Sequence, residues 1–141
     1  MNIAGAGDGR SMVKVTAQKL KKRDPELASL VTVGALPLTE VRSHLRPDEV
    51  LVEYYLYGSH VVVLAISGES VVSATLDASS LEQEIRKFRA LIEGRKSEVV
   101  ASAQALYNKL LKPIESLVGS HNLVIVPHGI LHYLPFAALH D

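Results

Sequence analysis

Cysteine is absent from the 141-residue chain, which excludes disulfides, thiolate metal sites and a cysteine nucleophile within these residues. Charge of either sign is not in excess. Fifteen Lys and Arg balance fifteen Asp and Glu, so no global pull toward nucleic acid or an anionic membrane is expected. Long apolar runs are missing too: stretches such as Val61-Val-Val-Leu-Ala-Ile66 fall far short of the ~20 residues a membrane-spanning helix needs. The first ten residues, Met1-Asn-Ile-Ala-Gly-Ala-Gly-Asp-Gly-Arg10, lack the charged start and apolar core of a secretory signal, and the expected location is cytoplasmic. No G-x-S-x-G elbow occurs, because Ile66-Ser67-Gly68 and Val118-Gly119-Ser120 do not carry the spaced pair of glycines that exposes a serine nucleophile.

What is there is a globular composition, 48 % apolar and 21 % charged. The length suits one domain that buries roughly 65 to 70 % of its unfolded surface. Residues 1–26 read as a flexible tail and linker. Gly5, Gly7 and Gly9 alternate near its start, but a phosphate-cradling loop needs a strand before it, and none precedes Gly5. Residues 12–23 suit a short helix with a basic C-terminal end, where Lys19, Lys21, Lys22 and Arg23 complement the helix dipole. Asp24-Pro25 breaks it.

From residue 27 the chain reads as α/β. After an extended stretch at 27–36, a small helix is expected to follow Thr39 as its N-cap and to end at Arg46-Pro47. Residues 50–57, 60–67 and 71–76 are β-branched and aromatic, with Gly58-Ser59 suited to a two-residue hairpin turn. They predict a three-stranded antiparallel meander. The unbroken apolar run of residues 61–66 implies that the middle strand is covered on both faces. A first long helix opens at Asp77-Ala-Ser-Ser80, with a capping box from Ser79 and Glu82 or from Ser80 and Gln83. Its apolar positions are Leu81, Ile85, Phe88 and Ile92, up to Gly94. A second begins near Ser97 with Val100, Ala103, Leu106, Tyr107, Leu110 and Leu111 on one face. Pro113 should interrupt it, with a finish near Gly119. The aliphatic run of residues 123–126 predicts a buried, parallel strand inside the sheet, with neighbours on each side.

Candidate chemistry centres on the residues just C-terminal to that strand. His128 and His132 stand four apart, a zinc spacing on a helix, but Gly129 lies between them, Pro135 comes soon after, and no glutamate separates them. No metal or other cofactor is expected. His128 reads as a turn histidine whose ring bonds exposed backbone groups, with a general-base role left open by residue type alone. Glu53 reads as an outward charge, and Tyr54, Tyr55 and Tyr57 as ordinary strand formers. No base, nucleophile and oxyanion donors assemble from sequence, which makes a small-molecule hydrolase a poor reading.

Leu106-Tyr107, Leu110-Leu111-Lys-Pro113-Ile114 and the string Leu123-Val-Ile-Val-Pro-His-Gly-Ile-Leu-His-Tyr-Leu-Pro-Phe-Ala-Ala-Leu139 resemble the N-terminal half of a CHAT domain. That family is caspase-like, mostly bacterial and often associated with tetratricopeptide repeats. Leu36-Pro37-Leu38-Thr39-Glu40-Val41 and Leu45 through Tyr54 resemble the family's opening, so the likeness spans residues 27–141. The resemblance implies a partial caspase-like sandwich and, in active members, a cysteine peptidase whose catalytic histidine and cysteine lie C-terminal to Leu134-Pro135-Phe136. Pro127, His128, Gly129, His132, Leu134, Pro135 and Phe136 then belong to a structural signature, and no catalytic role transfers to any residue here. The expectation is a domain truncated at its C-terminal side, not active alone, with Ile130, Leu131, Tyr133, Leu134, Phe136 and Leu139 lacking cover. Its expected partner is the remainder of the domain or another protein, with self-association through an exposed sheet edge as a further route and no nucleic acid or membrane. A non-catalytic interaction module is the alternative.

Overall fold

The computed structural model describes residues 36–119 and 121–141. The tail, the basic helix and most of the extended stretch expected before residue 37 lie outside them. Leu38–Asp141 forms one compact unit. Its elements are α1 (Leu38–Ser43), β1 (Glu49–Tyr57), β2 (His60–Ile66), β3 (Val71–Asp77), α2 (Leu81–Glu93), α3 (Val99–Leu110), a 3-10 turn at Lys112–Ile114, α4 (Glu115–Val118), β4 (Asn122–Val126) and two further 3-10 turns, Gly129–Tyr133 and Phe136–Ala138. The helix expected after Thr39 therefore starts slightly earlier, at Leu38, and buries no residue.

The meander forms where the β-branched and aromatic runs are set off by turn residues. β1 pairs antiparallel with β2 and β2 with β3, while β4 returns parallel to β1, giving the order β3-β2-β1-β4. Gly58, at φ +56°, takes the left-handed first position of the β1–β2 turn. Alternate residues then share a face. Val50, Val52 and Tyr54 of β1 join Val61, Val63 and Ala65 of β2 in the core, with Leu123 and Ile125 of β4 packed against them.

Only that face is covered among the described residues, which corrects two expectations. On the opposite face Val62 is 39 % exposed, Val71 39 %, Val124 41 % and Val126 43 %, and among the described residues β4 has a strand neighbour on one side, β1, instead of on both. An aliphatic run reports strand propensity as well as burial, and periodicity cannot count covered faces. Leu51 and Leu64 are half-buried on this second face, and Ile66 alone at its end is buried.

α2 places Leu81, Ile85 and Phe88 in the core at helical spacing, and Ile92, one turn further on, is 39 % exposed. The expected capping box does not form. Ser80 makes no side-chain cap, and its hydroxyl instead donates to Glu84 at 2.7 Å. Ahead of it Asp77 accepts from both the amide and the hydroxyl of Ser79. α3 buries Ala103, Leu106 and Leu110, while Val100 is 51 % exposed and Val99 takes the position packed against the core. Pro113 sits in the first 3-10 turn, where its missing N–H costs no helical bond, and α4 ends at Gly119 with φ +31°. None of the described helices is long and apolar enough to cross a membrane.

The C-terminal block is covered, contrary to expectation. Its 3-10 turns carry Leu131 (0 % exposed) and Leu134 (6 %) into the core, and Ile130, Phe136 and Leu139 pack partly against it. Fully burying Leu131 alone stabilises by about 2 kcal/mol. Of the six residues expected to be bare, Tyr133 is the one that is largely exposed, at 61 %.

Candidate functional site

The residues singled out from sequence meet at the C-terminal end of the parallel β1–β4 pair. Val50 stands opposite Leu123, Val52 opposite Ile125, and Glu53 opposite Val126. The Asn122 amide donates to the Asp48 carbonyl at 2.8 Å, which fixes the phase: even-numbered β4 residues turn their backbone groups to β1 and odd-numbered ones turn away. Continued two residues past Val126, the ladder would offer the His128 carbonyl to the Leu56 amide. Pro127 and the turn remove that acceptor. In its place the Leu56 N–H donates to Nδ1 of His128 at 3.1 Å. The imidazole also stacks on Tyr55, with ring centroids 4.8 Å apart and planes 25° apart.

This geometry defines what His128 can do. An Nδ1 that accepts an amide hydrogen leaves the ring proton on Nε2, so the neutral ring has no free lone pair. It works as a backbone extender, and it would act as a general base only by giving up the Leu56 bond. Gly129, next in line, holds φ +56°, a conformation that side chains resist, with the Leu56 side chain 3.4 Å from where a Cβ would stand.

Past this turn the chain is pinned by a second contact. Phe136 stacks on Tyr54 at 5.6 Å and 29°, and the Tyr54 phenol donates to the Leu110 carbonyl at 3.0 Å. Burial pushes the Tyr54 phenol far above its ordinary value, which keeps it the protonated donor this bond requires. One tyrosine thus ties β1, the end of α3 and the Leu134-Pro135-Phe136 segment together. His132 is exposed on the Gly129–Tyr133 turn, and Pro135 is exposed between buried Leu134 and half-buried Phe136. His128 and His132 are not on a common α-helix, and among the described residues no three metal-type side chains converge.

Two further features carried no signal in the sequence. Lys109 of α3 donates to both carboxylate oxygens of Glu84 of α2, at 2.6 and 2.7 Å, and to the Ser80 hydroxyl at 3.2 Å. Partial burial raises the Glu84 carboxyl, but the hydrogen bonds and charge of Lys109 and Ser80 outweigh it, and the carboxyl ends below its usual range. Arg89 lies 5.6 Å over the Tyr133 ring. With Arg86, Ile85 and Ile130 this pair lines a shallow cleft of about 250 Å³, yet Arg86 already pairs with Glu82 and Arg89 with Glu93. A wider hollow of about 540 Å³, bordered by Arg46, Glu69 and His121, lies at the other end of the sheet.

Comparison with known families falls on the same segment. The family model of the CHAT domain matches residues 100–141. That stretch is similar to the CHAT domain. The match takes in α3, β4, the Pro127-His128-Gly129 turn and the Phe136 contact, and bears out the resemblance over those elements. Residues 27–99, over which the resemblance was also drawn, lie outside the matched span. No curated protein matches the chain. The observed fold accords with the α/β expectation: three antiparallel strands, a parallel β1–β4 pair and helices between them.

Proposed function

We propose that the chain is the N-terminal scaffold of a CHAT-type, caspase-like cysteine peptidase, and that residues outside this chain supply the catalytic histidine and cysteine. One observation carries the reading: the CHAT match coincides with a parallel strand whose C-terminal turn is built as a structural lock. His128 is committed to the Leu56 amide and Phe136 to Tyr54. A histidine spent in this way supports a scaffolding role, and the chain has no cysteine to make a thiolate. The scaffold function is to hold β1 and β4 in parallel register, so that further strands and helices added on the β4 side or on the bare sheet face meet a rigid platform.

The test is at the gene. Reading on in frame should reveal a His-Gly pair and a later cysteine. The extended product should hydrolyse a peptide substrate, and should stop doing so when that cysteine becomes serine. A continuation with neither residue would sink the reading. The bare valines of the sheet favour a second reading, a non-catalytic module that binds another protein through this face. An extended product that is inactive yet captures a defined partner would select it.

A further inference from the structure

His128 is held by a bond that only its neutral ring can make. The other histidines with a bonded ring nitrogen are placed differently. Nδ1 of His44 faces the Glu40 carbonyl at 2.8 Å and Nδ1 of His140 the Asp141 carbonyl at 3.2 Å, so both rings donate there, as an imidazolium would. Nδ1 of His60 lies 3.4 Å from the Ser59 hydroxyl, which can give or take a proton. Nδ1 of His128 faces the Leu56 N–H, a group that can only donate. Protonating His128 therefore removes the acceptor and sets two N–H groups head to head.

We infer that the Pro127-His128-Gly129 turn is an acid-released latch: when the imidazole takes a second proton, the Leu56 amide is let go and residues 127–129 part from the end of β1. The groups facing the ring come from few places. β1 presents Glu53, Tyr55 and Tyr57 on this side of the sheet, β2 presents His60 opposite Tyr57, and β4 has no titratable residue. His132 and Tyr133 follow on the ring's own turn. Glu53 favours the imidazolium and a charged His60 opposes it, both through water, since each is exposed. Among the described residues no carboxylate makes an ion pair with His128. The Tyr55 face attracts a cation as well as a neutral ring, which keeps the imidazolium near and the release reversible. Opening stays local because the next anchors do not titrate: Leu131 and Leu134 are in the core and Phe136 rests on Tyr54.

The latch rests on the Leu56 bond and not on the CHAT reading. Nuclear magnetic resonance of the 141-residue chain between about pH 8 and 5 tests it, through the His128 ring nitrogens and the Leu56 amide, with exchange corrected for its intrinsic pH dependence. At the upper end Nδ1 should carry the signature of an acceptor. As the ring protonates, Leu56 should lose about fivefold or more of its protection with the same midpoint, while β2 amides keep theirs. His128→Asn retains an acceptor that cannot titrate, so Leu56 should stay protected throughout. His128→Phe should leave it unprotected throughout. Leu56 protection that survives protonation of the ring overturns the inference, as does a ring that stays neutral across the range, an acid loss that persists in His128→Asn, or a loss shared equally by β2.

Discussion

Replacing the His128 ring selectively separates its two jobs. His128→Phe keeps an aromatic face over Tyr55 and removes the Nδ1 acceptor, leaving the Leu56 amide unpaired. A net backbone-type bond contributes about 1 kcal/mol, and an orphaned buried donor costs ~1–3 kcal/mol. Leu56 is only half-buried, so water can reach part of its amide, and the expected cost is about 1 kcal/mol. His128→Asn does the reverse, presenting an amide oxygen where Nδ1 stood and losing the stack, which is worth about 0.5–1 kcal/mol. His128→Ala loses both, for about 2 kcal/mol. Urea unfolding monitored by circular dichroism measures all three midpoints, and for a unit of this size each kcal/mol corresponds to about 4–8 °C in Tm. The decisive comparison is a double-mutant cycle with Tyr55→Ala. His128→Phe should couple to Tyr55 as the parent does, and His128→Asn should show little coupling. If His128→Phe unfolds at the parent midpoint, the ring is not serving as the ladder's missing acceptor and the reasoning fails.

Three other outcomes follow from the same contacts. Gly129→Ala should destabilise by about 1 kcal/mol through its left-handed φ and not through a clash, and Gly129→Asn by less, read as urea midpoints. Phe136→Ala should cost about 2 kcal/mol, below the range for a fully buried ring because Phe136 is half-buried, and should raise the exchange rate of amides in the last turn. Glu84 has its folded carboxyl below the unfolded value, so the Lys109 pair contributes fully above roughly pH 5 and is lost as pH falls through the lowered value. Because Glu84 and Lys109 are 37 % and 25 % exposed, the contribution is below about 1 kcal/mol. Glu84→Gln should flatten the acid limb of a stability–pH curve by that amount, and an unchanged limb would discount the pair.

The meander was legible from β-branched and aromatic runs set off by Gly58-Ser59 and Gly68, and both long helices from 3.6-residue spacing such as that of Leu81, Ile85 and Phe88. The break at Pro113 was legible for the same local reason. What escaped the sequence depends on partners far along the chain. The Ser80 hydroxyl makes no cap on α2 and instead donates to Glu84 and accepts from Lys109, 29 residues away. β4 was placed inside the sheet because Leu123-Val-Ile-Val126 looks the same whether one face or two are covered, and only the order β3-β2-β1-β4 decides between them. The cover of Leu131 and Leu134 depends on a chain reversal whose pin, Phe136 on Tyr54, spans the whole fold. His128 was legible as a turn residue that bonds backbone. Its identity as the ladder's substitute acceptor needed the parallel register of Val52 with Ile125 and Glu53 with Val126.

The central claim is that the Pro127-His128-Gly129 signature is a lock on the β1–β4 pair. Residue-resolved amide exchange tests it most directly, through the Leu56 amide in the parent chain and in His128→Phe. The account predicts a protected Leu56 amide in the parent, comparable to those of Val124 and Val126, and loss of that protection in the variant while β2 is unaffected. A Leu56 amide that exchanges freely in the parent, or that is equally protected without the imidazole, would contradict it.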